Sequence, residues 1–376
     1  MSEEKRDIDY PIPGTLRRFI ITIMYLFLFG FVLYVPSYFL DEIFGDEKTL
    51  NVCAFTETFC PEALSRFEQL TGAKVNMTYV ELDEQIYAKF KISDGEGYDI
   101  INVSDFMAQI LAKQGMLTKL DKAKIKNKAN INQHLLGYSY DPENSFSLPH
   151  KWFMYGIVYD KTFFKRSPDQ MGLDFIFTDP ESLLTQKLVD KSYKICMIDS
   201  PLDAFFLASL FKKTPIKDDE ADRLCPFLIA QKQWIESYTL YSIEYFLFTN
   251  IVPIALTSSN FMRKIWDEDK RFDFAVPSEG GILVIENLVI PQKSKRVDLA
   301  HAFIDFMLSD EIAELNSSTY KWSSSNKKAN EALDAEYAQL EHLFLSDILV
   351  QRLHIPLFDV TERKKINESW LHVGFA

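Results

Sequence analysis

The stretch TLNVCAFTETFCPEALSRFEQLTGAKVNMTYV, residues 49–80, decides the fold class because it holds a complete strand–turn–helix–strand unit. TLNVCAF is an apolar run of strand length, and AKVNMTYV is a second one. Between them, Pro61 suits the first position of a helix and Gly72 suits its end. Two strands joined by a helix and short loops predict a parallel βαβ unit, and hence an α/β sheet.

The same alternation continues along the chain. LDEQIYAKFKIS predicts a helix, YDIINV a strand, and SDFMAQILAKQG a helix that Ser104 would cap. A second block begins near Lys151, with strands predicted at FMYGIVYD, YKICMID and VPIALTS and helices at DAFFLASLFKK and LIAQKQWIESY. DFAVPSEGGILVIENLVIP predicts two strands around a Gly-Gly turn, and the part after Asn330 is predicted to be mostly helical. Ligands of α/β sheets bind at the carboxyl ends of strands, so the turns there are candidate sites.

The N-terminal region contains a long apolar segment, FIITIMYLFLFGFVLYVPSYFL, at residues 19–40. It has no charged residue, follows Arg17 and Arg18, and is long enough to cross a bilayer as a helix. We therefore expect residues 1–18 to be a cytoplasmic tail and residues 19–40 to be a transmembrane anchor. The alternative is a signal peptide that is cleaved after export.

Charge and cysteine content limit the classes of function. Residues 1–40 carry four acidic and four basic residues, so the formal charge of −13 belongs to the remainder of the chain. An acidic surface disfavours nucleic acid and is compatible with a cationic ligand. After export, Cys53, Cys60, Cys196 and Cys225 could form two disulfides with three possible pairings, whereas for Cys53, which lies in an apolar strand-like run, the alternative is a buried free thiol. No C-x-x-C pair, P-loop or G-x-S-x-G motif occurs, so we expect neither a metal or cofactor nor an enzyme.

The sequence resembles the bacterial spermidine/putrescine-binding proteins, which deliver polyamines to ABC transporters. The resemblance rests on six stretches in a fixed order, at residues 55–75 (FTETFCPEALSRFEQLTGAKV), 84–91 (EQIYAKFK), 97–127 (GYDIINVSDFMAQILAKQGMLTKLDKAKIKN), 140–160 (YDPENSFSLPHKWFMYGIVYD), 276–291 (VPSEGGILVIENLVIP) and 300–313 (AHAFIDFMLSDEIA). It covers residues 49–320 well and weakens after them.

The resemblance implies a two-lobed periplasmic-binding-protein fold (type II) of the α/β class, with hinge-connected lobes that close on the ligand. The first lobe would comprise residues 49–151 and 286–320, and the second residues 152–285 and 321–376. It further implies capture of a polyamine or similar small cation in the periplasm and its delivery to an ABC permease. Two alternatives are the same fold retuned to another solute, and an envelope protein without transport function.

Site residues follow from the resemblance position by position. In the first turn, where the family has Trp-[Ser/Thr]-[Glu/Asp]-Tyr, this chain has Phe55, Thr56, Glu57 and Thr58. The remaining implied ligand contacts are spread along the chain: Ser104, Phe106, Ser200, Asp203, Leu256 and Glu286, with Ser259 and Asp199 as further candidates. Leu256 and Val284 stand where the family has tryptophans, so we expect fewer aromatic contacts and a larger share for the acids.

Each of these residues also has a purely structural interpretation. Ser104 would cap its helix whether or not it contacts a ligand, and Phe55 and Phe106 are alternatively core residues. Glu57 is alternatively a solvated charge near a helix N-terminus. Asp203 and Glu286 are left as candidate cation ligands.

Overall fold

The computed structural model describes residues 22–25, 48–214, 220–239 and 242–375. The chain divides into two units, Met1–Thr49 and Leu50–Ala376. In the first unit, residues 22–25 are helical. Within the described ranges, no helix has both the length and the apolar character that crossing a membrane requires. The expected anchor at residues 19–40 lies, apart from residues 22–25, outside them.

Eleven strands of the described chain form one mixed sheet with the order β2-β1-β3-β9-β4-β7-β5-β6, in which β8 and β10 pair with β4, and β11 pairs with β9. Their bounds are β1 Thr49–Phe55, β2 Lys74–Val80, β3 Ile100–Ser104, β4 Ser147–Asp160, β5 Ile195–Ile198, β6 Ile235–Thr239, β7 Ile254–Ser258, β8 Phe272–Ala275, β9 Gly281–Val289, β10 Ser323–Ser324 and β11 Leu353–His354. β1 is parallel to β3, and β5 is parallel to β6 and β7. The expected α/β class is therefore confirmed.

Helices flank the sheet. Their bounds are α1 Pro61–Thr71, α2 Asp83–Ile92, α3 Asp105–Lys113, α4 Lys161–Phe164, α5 Asp174–Phe177, α6 Pro180–Thr185, α7 Pro201–Lys212, α8 Glu220–Gln231, α9 Ile243–Phe248, α10 Ser259–Glu268, α11 Val297–Met307, α12 Asp310–Tyr320, α13 Lys327–Glu336, α14 Asp347–Val350 and α15 Val360–Phe375. Short 3-10 helices lie at Lys126–Asn130, Gln133–Leu135, Pro168–Gln170, Lys232–Trp234 and Ala338–Leu343.

The first βαβ unit forms as the sequence predicts. Pro61 begins α1, where its missing N–H costs no hydrogen bond, and the Cys60 Sγ accepts a hydrogen bond from the Ala63 N–H. Gly72 ends the helix with a φ of 69°, a conformation that glycine adopts without steric cost. These caps place the turn at residues 56–60 at the carboxyl end of β1.

Two long antiparallel strands, β4 and β9, connect two buried apolar clusters. The first core includes Val52, Phe67, Ile101, Trp152, Leu288 and Phe303, and the second includes Tyr159, Met197, Phe205, Leu256 and Ile282. Because β4 and β9 contribute to both cores and pair with each other along Ser147–Tyr155, they carry the chain from one core to the other.

One local expectation differs from the structure. The helix expected over LIAQKQWIESY stops at Gln231, and the chain then makes a 3-10 turn and forms strand β6, which pairs with β5. Sheet pairing here overrides local helix propensity. The two strands expected around the Gly-Gly turn form as β8 and β9, and they pair with successive stretches of β4.

All four cysteines are buried free thiols in the structure. Cys53 lies in β1, and burial raises the pKa of its thiol to about 11, which keeps it protonated and unreactive at neutral pH. The structure therefore has the free-thiol alternative for Cys53, and the other three cysteines, for which disulfides were the expectation allowed by export, are free thiols as well.

Candidate functional site

A cleft of about 840 Å³ lies at the carboxyl ends of β1, β3 and β5 and along the central part of β4 and β9. Its lining residues come from strands on both sides of the central pair β4 and β9. Eight of the eleven candidate site residues line it, and these are Phe55, Thr56, Glu57, Ser104, Phe106, Ser200, Asp203 and Glu286. The reserve candidate Asp199 lines it as well. The turns after the strands thus converge as the α/β pattern predicts.

The other three candidates do not line the cleft. Thr58 is buried, and its hydroxyl donates a hydrogen bond to Asn102. Leu256 is a fully buried residue of β7 within the second core. Ser259 is also buried, and its Oγ accepts a hydrogen bond from the Met154 N–H at 3.0 Å. Each of them has a structural role that leaves no face toward a ligand.

Three carboxyl groups form an acidic cluster, here defined as Asp83, Asp105 and Asp203, and all three line the cleft. They lie in the first turns of α2, α3 and α7, each of which follows a strand. A helix N-terminus carries positive partial charge and alone would repel a cation. Acidic residues in these positions reverse that preference. Sequence comparison with the family had identified Asp203 but missed the other two.

Hydrogen bonds fix the direction of these carboxyl groups. Asp105 accepts from the N–H groups of Ile285 at 2.9 Å and Phe106 at 2.7 Å. Asp83 accepts from the Ser104 N–H at 3.3 Å, and Asp203 accepts from the Ser200 hydroxyl at 2.6 Å. Ser104 also caps α3 through its Oγ, so its structural interpretation holds.

Burial raises the pKa of all three carboxyl groups in the acidic cluster. The pKa of Asp83 and that of Asp105 both rise to about 7, and that of Asp203 rises to about 6. The negative charges of Asp83 and Asp203 raise the pKa of Asp105 further. Desolvation favours the neutral acid, so an incoming positive charge would stabilise the ionised form of these groups, in addition to the attraction that Asp83 already has to Arg363.

Three other acids of the cleft form ion pairs with basic side chains of the protein. Glu57 pairs with Lys264 at 2.8 Å, Glu84 with Arg363 at 3.0 Å, and Glu286 with Lys151 at 3.1 Å. The first two pairs are partly exposed, whereas both side chains of the third are less than a tenth exposed. Eight acidic and three basic residues line the cleft, which leaves a clear negative excess.

Aromatic rings line the cleft from positions that the family comparison did not indicate. Besides Phe55 and Phe106, six contribute: Phe153, Tyr155, Phe261, Tyr320, Trp322 and Phe358. The Arg363 guanidinium lies 4.2 Å from the centre of the Phe106 ring, and the Lys151 Nζ lies 5.9 Å from that of Trp322. The cleft therefore has aromatic surface, although the tryptophan positions expected from the family hold Leu256 and Val284.

The sequence profile of bacterial extracellular solute-binding proteins matches residues 62–344. The chain belongs to this family. It is 27% identical over 343 residues to the putrescine/cadaverine-binding protein of Pseudomonas aeruginosa, covering 87% of this chain and 93% of that protein. It is 25% identical over 310 residues to the spermidine/putrescine-binding periplasmic protein of Escherichia coli, covering 80% and 84% respectively.

Solved structures agree with this assignment. The spermidine/putrescine ABC transporter substrate-binding protein PotD from Streptococcus pneumoniae superimposes with a TM-score of 0.74 at 25% identity, covering 87% of this chain and 99% of that one. The expected two-lobed α/β binding-protein fold is therefore confirmed. Members of an extracellular solute-binding family bind and release solutes, so the chain is a binding protein and not an enzyme.

Proposed function

We propose that this protein captures a polyamine or a similar small organic cation in its cleft outside the cytoplasm and delivers it to an ABC permease. Support comes from relatives whose names state spermidine, putrescine or cadaverine binding, and from the negative excess of the cleft. No chemical step is needed. The protein binds its solute and releases it unchanged.

The observation that carries the proposal is the acidic cluster. A buried carboxylate without a cation is expensive, because its desolvation is not offset by a charge of opposite sign. An ammonium group placed among Asp83, Asp105 and Asp203 would supply that charge and form charge-assisted hydrogen bonds. A neutral or anionic solute would not. The aromatic rings nearby suit the methylene groups and the positive ends of such a cation.

Binding is proposed to couple to cleft closure. The lobes would be residues 49–151 with 286–320, and residues 152–285 with 321–376, joined through β4, β9 and β10. Asp83 and Asp105 then belong to the first lobe and Asp203 to the second, so one ligand would bridge them. A ligand that contacts both lobes only when they are closed shifts the population toward the closed state.

Residues 19–40 are proposed to hold the protein at the inner membrane, next to its permease. Their length and lack of charge favour this over free diffusion in the periplasm. Fractionation of cells that produce the full chain tests the anchor: alkaline extraction should leave the protein in the membrane pellet. Release into the soluble fraction with a shortened N-terminus would instead support cleavage.

Calorimetric titration of the full chain in a mild non-ionic detergent tests the ligand class. The ligands are spermidine, 1,4-diaminobutane, a neutral sugar and glutamate. We expect heat of binding with at least one polyamine and none with the sugar or glutamate. Clear binding of a neutral or anionic solute with no polyamine binding would contradict the proposal and favour a cleft retuned to another solute. No binding of any solute would favour an envelope protein without transport function.

A further inference from the structure

The ion pair between Lys151 and Glu286 is built into the sheet. Lys151 of β4 lies directly opposite Glu286 of β9, after a bulge that shifts the register between Pro149 and Lys151. Opposite residues of antiparallel strands point to the same face, and the Nζ–Oε1 distance is 3.1 Å. The side chains are 7% and 8% exposed, yet both residues line the cleft.

An aromatic ring completes the surroundings of this lysine. The Lys151 Nζ lies 5.9 Å from the centre of the Trp322 ring. That ring is held in place because its Nε1 donates a hydrogen bond to the Glu57 carbonyl at 2.9 Å. A carboxylate together with an aromatic face is the combination that binds organic ammonium groups. Here the ammonium group of Lys151 contacts both the Glu286 carboxylate and the Trp322 ring.

We propose that Lys151 is a specificity-determining residue: it occupies one ammonium position of the cleft, so that the protein prefers a small diamine to a longer triamine. The proposal rests on the proposed function, in which the ligand is an organic cation. A third ammonium group extending toward Glu286 would meet an acid that is already neutralised and a lysine of like charge. The acidic cluster stays available for the two amines of a shorter ligand.

The cleft's other two cations support this interpretation. Lys264 and Arg363 pair with carboxylates that are more than half exposed. Water screens the exposed carboxylate of each pair, although the Arg363 side chain itself is only 12% exposed. Lys151 differs because its pair is buried, and breaking a buried pair leaves an uncompensated charge. Lys151 is therefore the cation that a ligand displaces least easily.

The test is calorimetric titration of the full chain and of its Lys151→Met variant with 1,4-diaminobutane and with spermidine. The wild type is expected to bind the diamine more tightly. In the variant, Glu286 is free to take an ammonium group, and the spermidine affinity should rise at least tenfold relative to the diamine affinity. A ratio unchanged within twofold would overturn the proposal.

Two further variants keep the test decisive. Lys151→Met with Glu286→Gln removes both charges of the pair and should give no gain in spermidine affinity. Lys161→Met is a matched control, because Lys161 also contacts a carboxylate (Asp273) and a tryptophan ring (Trp266) but does not line the cleft. The ratio of the two affinities should not change in it.

If Lys151→Met alone is too unstable for calorimetry, thermal unfolding with each ligand replaces it. Spermidine should then stabilise the variant more than the diamine does, and equal stabilisation would overturn the proposal. The outcomes also separate it from the proposed function. A wild type that binds no polyamine, with a variant that binds spermidine, would support the role of Lys151 and contradict the proposed function. If both proteins bind the diamine and the affinity ratio is unchanged, the proposed function is supported and the role of Lys151 is contradicted. If neither protein binds a polyamine, both proposals are contradicted.

Discussion

Acidification should weaken ligand binding through the acidic cluster. With pKa values of about 7, Asp83 and Asp105 are about nine-tenths ionised at pH 8 and about 3% ionised at pH 5.5. The amines of a polyamine stay protonated across this range, because their pKa values resemble that of lysine. If binding needs one such carboxylate, the affinity at pH 5.5 should be about 30-fold lower, or about 2 kcal/mol.

The assay is titration calorimetry with 1,4-diaminobutane at pH 5.5, 6.5, 7.5 and 8.0. Asp105→Asn keeps the shape of the side chain but not its charge, so its affinity should fall less steeply with acidification than that of the wild type. Affinity that is independent of pH, or that rises on acidification, would refute the reasoning.

Acid unfolding driven by these three carboxyl groups does not explain a loss of ligand affinity at low pH. Their folded pKa values are raised, so the stability they contribute is fully present below the unfolded pKa of about 4 and is lost as the pH rises through about 6 to 7. The three carboxyl groups therefore make the unliganded protein more stable at pH 5.5 than at pH 8. Urea denaturation with and without ligand at both pH values separates the two effects.

Three further predictions concern stability and the thiols. Arg363→Met should lower the unfolding free energy by about 1 kcal/mol, because an ion pair with an exposed acid and one ring contact are lost; in urea denaturation, the exposed neighbouring change Lys364→Met should have less than half that effect. Gly156→Ala should lower the free energy of unfolding by about 1 to 3 kcal/mol, because its Cβ would lie 2.5 Å from the Ala275 carbonyl oxygen. Gly374→Ala is the control, since its Cβ would meet no atom within 4 Å. Equal melting temperatures for the two variants would contradict this prediction. A thiol reagent should label four cysteines after denaturation without reductant and almost none before it, whereas disulfides would reduce the first number.

Local signals in the sequence suffice for the elements that carry their own caps. Pro61, Gly72 and Ser104 mark helix ends by their own chemistry, and the structure has all three in those roles. The prediction fails at strand β6, Ile235–Thr239, because that strand is defined by a partner strand forty residues away. Pairing of this kind leaves little trace in a local apolar pattern.

Some residues of the candidate site were likewise predictable from the sequence and others were not. Residues in the turns after β1, β3 and β5 were predictable because the ends of the strands meet in such a sheet. The cation beside Glu286 was not, since Lys151 is remote in sequence and faces the cleft only after a bulge that no local pattern indicates. Asp83 and Asp105 were missed because an acid in a first helical turn also has an ordinary role, as a partner for the helix dipole. Only burial of the carboxyl group distinguishes an acid that lines a cleft from one that merely interacts with the helix dipole.

A crystal structure of the protein with 1,4-diaminobutane tests the central claim most directly. The account predicts amine nitrogens within about 3 Å of carboxyl oxygens in the acidic cluster, with the Lys151 Nζ still paired with Glu286. A diamine bound away from Asp83, Asp105 and Asp203, or one whose ammonium group takes Glu286 and displaces Lys151, would contradict it.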